Sequence, residues 1–341
     1  MDHEQVVIKR GPRSGLPIIV AVHSTALGPA IGGCRIKEYP HWRNGLDDAL
    51  RLSAAMTSKS ALAGLRHGGG KTVVALSAGT RWDRRETLLD VGDVIAGLGG
   101  AYATGPDVGT GPDDMVTIAE RTPYVFCRPA EAGGSGDSSG HTAQGVVAAL
   151  RALVGDLSSK SFAVLGLGRV GSEVWKMLTD AGATVIASDV DDRKKRGTWV
   201  SPQECLTADV DVLIPAALGG LLTPETVPAL RCRAIAGPAN NQLDAPATAD
   251  LLHARGIRWA PDAIVSAGGI IYATAVELRH ETPDRAAEQV RGIGATLTSV
   301  VREAEAAGTT PAEAARRHVE RVLASANLSG RVPAAGSLPL P

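Results

Sequence analysis

Apolar residues along the first 125 positions follow two different spacings. The run LPIIVAVH at 16–23 is rich in β-branched residues and predicts a strand. From 45 to 63, apolar residues recur at helical spacing, and Asn44 is the predicted N-cap of this helix. Alternating strands and helices predict an α/β domain. Its other predicted parts are strands at 72–76 and before Asp107, helices at 84–98 and 113–121, a glycine-rich loop at 24–33 and a glycine bend at 68–70.

A second α/β pattern follows the stretch EAGGSGDSSG at 131–140, whose small polar residues predict a linker. Helices and strands alternate again beyond it. The predicted helices are at 142–153, 172–181, 284–307 and 311–326, and the predicted strands are at 161–165, 184–188, 210–214 and 234–236, with one more ending at Pro261-Asp262.

The length of 341 residues favours two domains over one hydrophobic core. We expect an N-terminal α/β domain over 1–130 and a Rossmann-type α/β domain over 131–283, with a cleft between them. The C-terminal helices over 284–328 are expected to pack back towards the N-terminal domain, and 329–341 are expected to form a disordered tail.

Charge and cysteine spacing argue against several classes of protein. The formal net charge is −1 and aromatic residues make up 3% of the chain, which argues against a nucleic-acid-binding surface. The N-terminus is polar and no apolar run reaches the length of a membrane span, so we expect a cytoplasmic protein without a membrane partner. The cysteines are far apart, which predicts neither a metal site nor a disulfide framework; they are Cys34, Cys127, Cys205 and Cys232.

The clearest motif is GLGRVG, which starts at Gly166 between a predicted strand and a predicted helix. In a dinucleotide-binding unit, Gly166 permits the tight turn, Gly168 lets the pyrophosphate reach the backbone, and Gly171 allows the helix to pack closely on the strand. Asp189 ends the next predicted strand, where an acidic residue binds the ribose hydroxyls. Its carboxylate favours NAD because it repels a 2′-phosphate, whereas the basic run at 193–196 keeps NADP as the alternative.

Two lysines flank the glycine-rich segment at 68–70. The chain has 27 arginines and only eight lysines, so a lysine here suggests a need that arginine does not meet. An ammonium can lose its proton when it is buried or near another cation, whereas a guanidinium effectively cannot. Lys59 and Lys71, beside glycines that a small ligand can approach, therefore predict a site for a small anionic substrate. The alternative for Lys59 is a solvated helix residue.

Five short motifs occur in order along nearly the whole chain: MTSK at 56–59, GGGK at 68–71, GPDVGT at 105–110, the glycine motif at 166–171 and NNQ at 240–242. In this order they resemble the Glu/Leu/Phe/Val amino-acid dehydrogenases, most closely the leucine, valine and phenylalanine branch. The resemblance implies an NAD-dependent oxidoreductase that converts an L-amino acid to its 2-oxo acid and ammonia, and that also runs the reverse reductive amination. It also implies a homo-oligomer, a dimer or higher, with substrate binding and oligomerisation in the domain over 1–130 and dinucleotide binding in the domain over 131–283.

The same resemblance implies roles for individual residues. Lys71 matches the catalytic lysine, Asp107 the proton-transferring acid/base, and Lys59 the ligand of the substrate carboxylate. Gly33 and Asn240 match residues that contact the substrate. The charge of Lys59, together with burial, is expected to lower the pKa of Lys71. The residues expected to line the cofactor are Ser139, Thr142, Gly166, Gly168, Arg169, Val170, Gly171, Asp189, Ala217 and Asn240.

Substrate class and reaction type leave alternatives open. No lysine stands where a glutamate enzyme would need a cation for the γ-carboxylate, so we expect an apolar L-amino acid, which is valine-like or leucine-like or phenylalanine. The chain departs from the family pattern at Ser266, where asparagine is usual, at Ala216, where cysteine is usual, and over 190–207, which looks shorter. An imine-reducing or otherwise specialised oxidoreductase of the same family is therefore an alternative, and a non-catalytic NAD-binding protein is a further one.

Overall fold

The computed structural model describes residues 2–217 and 219–328. Within these residues the chain divides into two compact units. The first unit contains residues 2–137, 273–282 and 319–328, and the second contains the remainder. Residues 329–341, for which the sequence predicts a disordered tail, lie outside the described residues.

A five-stranded sheet forms the first unit. Its strands are β1 (Gln5–Arg10), β2 (Pro17–Ser24), β3 (Ala30–Glu38), β4 (Gly68–Leu76) and β5 (Tyr102–Pro106), and its helices include α1 (Trp42–Leu62), α2 (Arg84–Ala96) and α3 (Pro112–Ala119). The sheet order is β1-β2-β4-β3-β5. β2 is antiparallel to both of its neighbours, whereas β3 is parallel to β4 on one side and to β5 on the other. The predicted α/β fold of this unit is confirmed.

The glycine-rich segments of this unit enter strands. The predicted loop at 24–33 is therefore too long, since β3 already begins at Ala30 and only 25–29 connect it to β2. The predicted bend at 68–70 is wrong, since the three glycines open β4. A Cβ placed on Gly70 would lie 2.5 Å from the ring of Tyr102 on β5. Close packing therefore requires glycine here, and a glycine needed for packing has the same sequence signal as a glycine needed for a turn.

Helix α1 begins at Trp42, earlier than the predicted start at 45. His41 is the N-cap, and its Nδ1 accepts a hydrogen bond from the Arg43 N–H at 3.2 Å. The predicted N-cap, Asn44, instead accepts from the His41 N–H through its Oδ1 at 3.2 Å. The two side chains thus form a reciprocal capping box, in which Asn44 is the inner partner.

A six-stranded parallel sheet forms the second unit. Its strands are β6 (Ser161–Leu165), β7 (Thr184–Ser188), β8 (Thr198–Trp199), β9 (Val212–Pro215), β10 (Ala234–Ile235) and β11 (Arg258–Trp259). The sheet order is β11-β10-β9-β6-β7-β8, and every neighbouring pair is parallel. From β6 the chain steps outward to β8 on one side and then to β11 on the other, which is the order of the doubly wound dinucleotide-binding fold. The predicted Rossmann-type domain is confirmed.

The helices of the second unit differ from the predicted ones mainly near the C-terminus. The helices after the linker are α4 (Ser139–Val154), α5 (Arg169–Asp180), α6 (Pro202–Leu206), α7 (Thr248–Ala254), α8 (Asp262–Val265), α9 (Gly268–Ala273), α10 (Pro283–Arg291), α11 (Ile293–Ala307) and α12 (Pro311–Leu328). The predicted helix at 284–307 is thus two helices, which meet at Gly292. Both α10 and α11 pack against α4 and belong to the second unit. Only residues from Val319 onward in α12 group with the first unit.

The border between the units lies at Asp137 and Ser138, later than the predicted border at 130. A buried carboxylate accounts for this difference. Glu277, which belongs to the first unit, accepts hydrogen bonds from the backbone N–H of Cys127 at 2.7 Å and of Ser135 at 2.8 Å. Most of the predicted linker is thereby held in the first unit.

Each sheet carries its own apolar core. In the first unit, side chains of β2 to β5 pack with α2 and α3, and Ile18, Tyr102 and Met115 are fully buried there. In the second unit, Leu213, Ile235 and their neighbours on other segments form the corresponding cluster. Of the helices in the described part of the chain, none has the length and apolar character needed to cross a membrane.

The close packing of α1 on the sheet can be tested at Gly45. A Cβ there would lie 2.8 Å from the Cβ of Ala75 and 3.3 Å from Cγ1 of Val73. We expect Gly45→Ala to lower the midpoint of thermal unfolding and to reduce the free energy of unfolding by about 1–3 kcal/mol, because the added Cβ collides with Ala75. The better helix propensity of alanine does not offset this collision.

Gly97→Ala is the matched control. Gly97 has a φ of −64°, and the atom nearest to an added Cβ would be the Val94 carbonyl oxygen at 3.4 Å, so alanine fits without strain. We expect this change to be neutral or to stabilise by up to about 1 kcal/mol. If Gly45→Ala raises the unfolding midpoint as much as Gly97→Ala does, α1 does not pack this closely.

Candidate active site

Lys71 lies within β4, in the interior of the first unit. Its side chain is 6% exposed, and its Nζ lies 2.9 Å from Oδ2 of Asp107. Asp107 directly follows β5. A buried amine held against a carboxylate can exchange protons with a ligand beside it. The structure therefore brings together the two residues to which the resemblance assigns the chemistry.

Gly33 lies beside this pair on β3, the strand between β4 and β5. It is paired with Gly105 in the sheet. A Cβ on Gly33 would lie 2.7 Å from the Cβ of Asp107 and 3.2 Å from the Nζ of Lys71. Gly33 therefore lets β3 lie directly against the Lys71–Asp107 pair, because a side chain at this position would collide with Asp107.

Arg35 is a residue of this site that the sequence analysis missed. Its Nε donates a hydrogen bond to Oδ2 of Asp107 at 2.7 Å, and its guanidinium also donates to Oδ2 of Asp48 at 2.7 Å. In a strand, residues two positions apart face the same side, so a strand over 30–38 would have placed Arg35 with Gly33. Because the sequence predicted a loop at 24–33 and no strand over 30–38, Arg35 was not placed beside Gly33.

Burial and charge act together on the proton equilibria of the pair. Burial lowers the pKa of Lys71, Asp107 raises it and Arg35 lowers it, and the net result is a pKa below that of an ordinary lysine. Burial raises the pKa of Asp107, but Lys71 and Arg35 outweigh burial and the net pKa is lowered. Arg35 is therefore a cation that lowers the pKa of Lys71 and that the sequence did not single out. At neutral pH Asp107 is therefore ionised, and Lys71 releases its proton more readily than usual.

Lys59 lies in the last turn of α1 and is half-buried. This end of α1 runs along the start of β4, where the hydroxyl of Ser60 donates to the carbonyl oxygen of Gly68 at 3.4 Å. The alternative of a fully solvated helix residue is not supported at this degree of burial.

The glycine motif of the second unit is closely packed on one side and open on the other. Gly166 has a φ of +107°, and a Cβ there would lie 2.7 Å from the Cβ of Ala217. A Cβ on Gly171 would collide with the carbonyl oxygen of Gly166. At Gly168, the N-cap of α5, no described atom lies within 4 Å of a Cβ position. The open side faces the first turn of α5, which contains Arg169 and Val170 and whose N–H groups can bind phosphate.

Asp189 is held next to the glycine turn. It accepts a hydrogen bond from the Leu167 N–H at 2.7 Å and another from the Asp191 N–H at 3.0 Å. Lys194 of the basic run lies 3.0 Å from its Oδ2, whereas Arg193 is paired with Asp191. The carboxylate is therefore positioned to bind a hydroxyl pair on a ribose, and these residues fit a dinucleotide.

The other predicted cofactor residues lie in segments of the same unit. Ser139 and Thr142 open α4, and Asn240 follows β10. Gly268 and Gly269 open α9.

Glycine is needed at the start of α9 because this end packs against α4. A Cβ on Gly269 would lie 2.7 Å from the hydroxyl of Thr142. Ser266, one of the departures from the family pattern, donates a hydrogen bond to Oδ1 of Asn240 at 3.2 Å. Across residues 2–217 and 219–328, no three His, Cys, Asp or Glu side chains are grouped so as to hold a metal ion.

A doubly wound dinucleotide-binding unit and a buried lysine–carboxylate pair in the same chain define an oxidoreductase with a nicotinamide cofactor. The family described as "Glu/Leu/Phe/Val dehydrogenase, dimerisation domain" matches residues 3–124, and the family described as "Glutamate/Leucine/Phenylalanine/Valine dehydrogenase" matches residues 188–330. The chain belongs to the Glu/Leu/Phe/Val dehydrogenase family, and the resemblance seen in the sequence is confirmed.

Individual relatives match over almost the whole chain. A phenylalanine dehydrogenase from Caldalkalibacillus thermarum is 38% identical over 341 residues, which cover 94% of this chain and 91% of the relative. A valine dehydrogenase from Streptomyces albus is 40% identical over 340 residues, which cover 95% of this chain and 93% of the relative. The solved structure of an L-tryptophan dehydrogenase from Nostoc punctiforme superposes with a TM-score of 0.83 at 34% identity, and covers 96% of this chain and 97% of that one.

The proton equilibrium of Lys71 can be measured directly by competitive acetylation over a range of pH, read out by peptide mass spectrometry. We expect Lys71 to become reactive at lower pH than an ordinary lysine. In Asp107→Asn its midpoint should fall further, because the anion that raises the pKa of Lys71 is removed.

Lys176 serves as the internal reference in the same digest. Its side chain is 63% exposed, and its pKa is raised by Asp180. If the acetylation midpoint of Lys71 equals that of Lys176, burial does not lower the pKa of Lys71.

Proposed function

We propose that the protein catalyses the NAD-dependent oxidative deamination of an apolar L-amino acid to its 2-oxo acid and ammonia, and the reverse reductive amination. The observation that carries this proposal is the buried contact between Lys71 and Asp107 beside Gly33. A non-catalytic dinucleotide-binding protein would have no need to bury a lysine with a lowered pKa against a carboxylate.

The proposed mechanism assigns one task to each polar group. Lys59 binds the substrate carboxylate, and Asp107 accepts a proton from the α-amino group. A nicotinamide bound at the glycine turn would accept a hydride from the substrate α-carbon in deamination and would donate one in the reverse reaction. Lys71, as the neutral amine, takes a proton from the water that attacks the resulting imine, and then stabilises the carbinolamine oxygen as an ammonium. Asp107 returns its proton to the nitrogen, and the C–N bond breaks to release ammonia. The carboxylate of Asp107 then accepts the proton of the carbinolamine hydroxyl as that oxygen becomes the carbonyl of the 2-oxo acid.

An apolar substrate side chain is supported by the relatives, whose names specify phenylalanine, valine and tryptophan. One methylene in a side-chain pocket contributes only about 1–3 kcal/mol to discrimination, so we propose the class and not one amino acid. The hydrogen bond from Ser266 to Asn240 favours a second candidate within the family, an enzyme that reduces a specialised imine, because the departure residue contacts the proposed substrate ligand.

The choice of NAD over NADP is supported by the position of Asp189 at the glycine turn. A carboxylate there binds the ribose hydroxyls and repels a 2′-phosphate. We also propose that the protein is a homo-oligomer, which the description of the matched N-terminal family as a dimerisation domain supports. A cytoplasmic location stays a prediction from the sequence.

The division of labour between the two lysines can be tested by steady-state kinetics. We expect NADH consumption with ammonia and a branched-chain or aromatic 2-oxo acid. Lys71→Ala should lower kcat by about 10²–10⁴-fold, because the general acid/base is lost. Lys59→Ala should mainly raise KM for the 2-oxo acid, by about 10–100-fold, because a charged hydrogen bond is lost.

Lys9→Ala is the control for these variants, because Lys9 lies exposed on the edge strand β1. Its kinetics should match those of the unchanged protein. If a panel of 2-oxo acids with ammonia gives no turnover with NADH or NADPH while the folded protein binds cofactor, the dehydrogenase proposal fails. If Lys59→Ala loses kcat and Lys71→Ala only raises KM, the two roles are exchanged.

Cofactor choice can be tested at Asp189. We expect the unchanged protein to prefer NADH, and Asp189→Ser to reduce the ratio of kcat/KM for NADH over NADPH by about 10–100-fold, because the carboxylate–ribose hydrogen bonds are lost and the repulsion of the 2′-phosphate is relieved. Asp191→Ser is the matched control, since Asp191 binds Arg193 on the same loop. A preference of the unchanged protein for NADPH would contradict the proposal.

A further inference from the structure

A continuous chain of polar contacts leads away from the proposed catalytic pair. Oδ2 of Asp107 accepts from Lys71 at 2.9 Å and from Arg35 at 2.7 Å. Arg35 also binds Oδ2 of Asp48 at 2.7 Å, and the same oxygen accepts from the hydroxyl of Tyr39 at 2.7 Å. Four separate segments of the first unit therefore meet in one network.

The network is shielded from water. The side chains of Arg35 and Asp48 are 15% and 13% exposed, and Tyr39 is buried. Burial alone would lower the pKa of Arg35, but Asp107 and Asp48 outweigh burial and raise it above its ordinary range. Arg35 is therefore a permanent cation in direct contact with Asp107.

Both cations bind the same oxygen of Asp107. Within residues 2–217 and 219–328, Oδ1 of this carboxylate has no hydrogen-bond partner. A carboxylate held through one oxygen keeps the other in a defined place for proton exchange with a ligand. The guanidinium cannot compete with Lys71 as a proton donor at neutral pH, so it can orient Asp107 without taking part in the chemistry.

We propose that Arg35 is a positioning residue, which orients Asp107 with Oδ1 turned towards the substrate and is itself held in place by Asp48 and Tyr39. The proposal rests on the proposed function, because it acts through Asp107 and Lys71. Arg35 need not touch the substrate.

Arg35 also affects the proton equilibria of Lys71 and Asp107. The other charged or titratable groups around this pair are Asp48 and Arg51 on α1, Cys34 on β3, Tyr39 after β3, Tyr102 on β5, and Asp114 paired with Arg84 at 2.6 Å. Burial raises the pKa of the Cys34 thiol to about 12, so it stays neutral. Removing the guanidinium removes a cation that lowers the pKa of Lys71 and the pKa of Asp107, so both should rise.

The test is the pH profile of kcat/KM for deamination in Arg35→Gln. Deamination requires the neutral amine of Lys71, so the profile should move to higher pH, while kcat falls by about 10–100-fold from the misplaced carboxylate. Arg35→Lys keeps the charge and should return the profile towards that of the unchanged protein.

Arg51→Gln is the matched control. Arg51 binds the other oxygen of Asp48 at 2.7 Å, but its side chain is 57% exposed and it makes no contact with Asp107 among the described residues. Its pH profile and kcat should not change. If Arg51→Gln acts like Arg35→Gln, or if Arg35→Gln loses activity without a shift in pH profile, Arg35 has only a structural role.

Competitive acetylation of Lys71 provides a readout that needs no activity. Its midpoint should move to higher pH in Arg35→Gln, and an unchanged midpoint overturns the proposal. If no 2-oxo acid is turned over, the proposed function fails, while the acetylation midpoint still reports on Arg35.

Asp48→Asn tests the network if Arg35→Gln does not fold. This change removes an anion whose charge partly offsets the effect of Arg35 on the pKa of Lys71. The acetylation midpoint of Lys71 should therefore move to lower pH, opposite to its shift in Arg35→Gln. A shift to higher pH, or none, contradicts the proposal.

Discussion

Burying the amine of Lys71 against the carboxylate of Asp107 is the constraint on which the first unit depends. Taking charged groups out of water costs several kcal/mol per ion unless protein charges and hydrogen bonds replace the lost hydration. Three neighbouring strands meet this requirement: β4 carries the amine, β5 leads into the carboxylate, and β3 between them carries Arg35. The glycines of β3 and β4 belong to the same arrangement, because side chains there would collide with Asp107 or with neighbouring backbone and side chains.

The site uses the two basic residue types for different physical properties. Arg35 has a guanidinium that keeps its charge when buried, so it can hold a carboxylate in place at any working pH. Lys71 has an ammonium whose pKa falls on burial, so it can exchange a proton with water. A composition that favours arginine so strongly makes the few lysines informative, and it makes an arginine with a special role hard to recognise.

The parallel strands of the second unit bring its predicted cofactor residues to one edge of the sheet. The carboxyl ends of neighbouring parallel strands lie on one edge, so short loops from distant parts of the chain share that edge. The glycine turn follows β6, Asp189 follows β7, and Asn240 follows β10. A binding surface for a dinucleotide therefore needs few specialised residues beyond the glycines and one acid, which is why its signal in the sequence is compact.

The sequence by itself determined the order of most helices and strands and the dinucleotide-binding topology, and it singled out Lys71 and Asp107 as candidates, because periodicity, glycine turns and short motifs are local signals. It did not reveal β1 or β3, and it presented the strand glycines of β4 as a bend. Only the tertiary structure decided that Arg35 meets Asp107 and that Glu277 holds most of the predicted linker in the first unit. Both contacts join residues far apart along the chain, so neither is visible in local spacing. The cap of α1 at His41 is a local contact, and its difference from the predicted cap reflects the uncertainty of a few positions at any helix end.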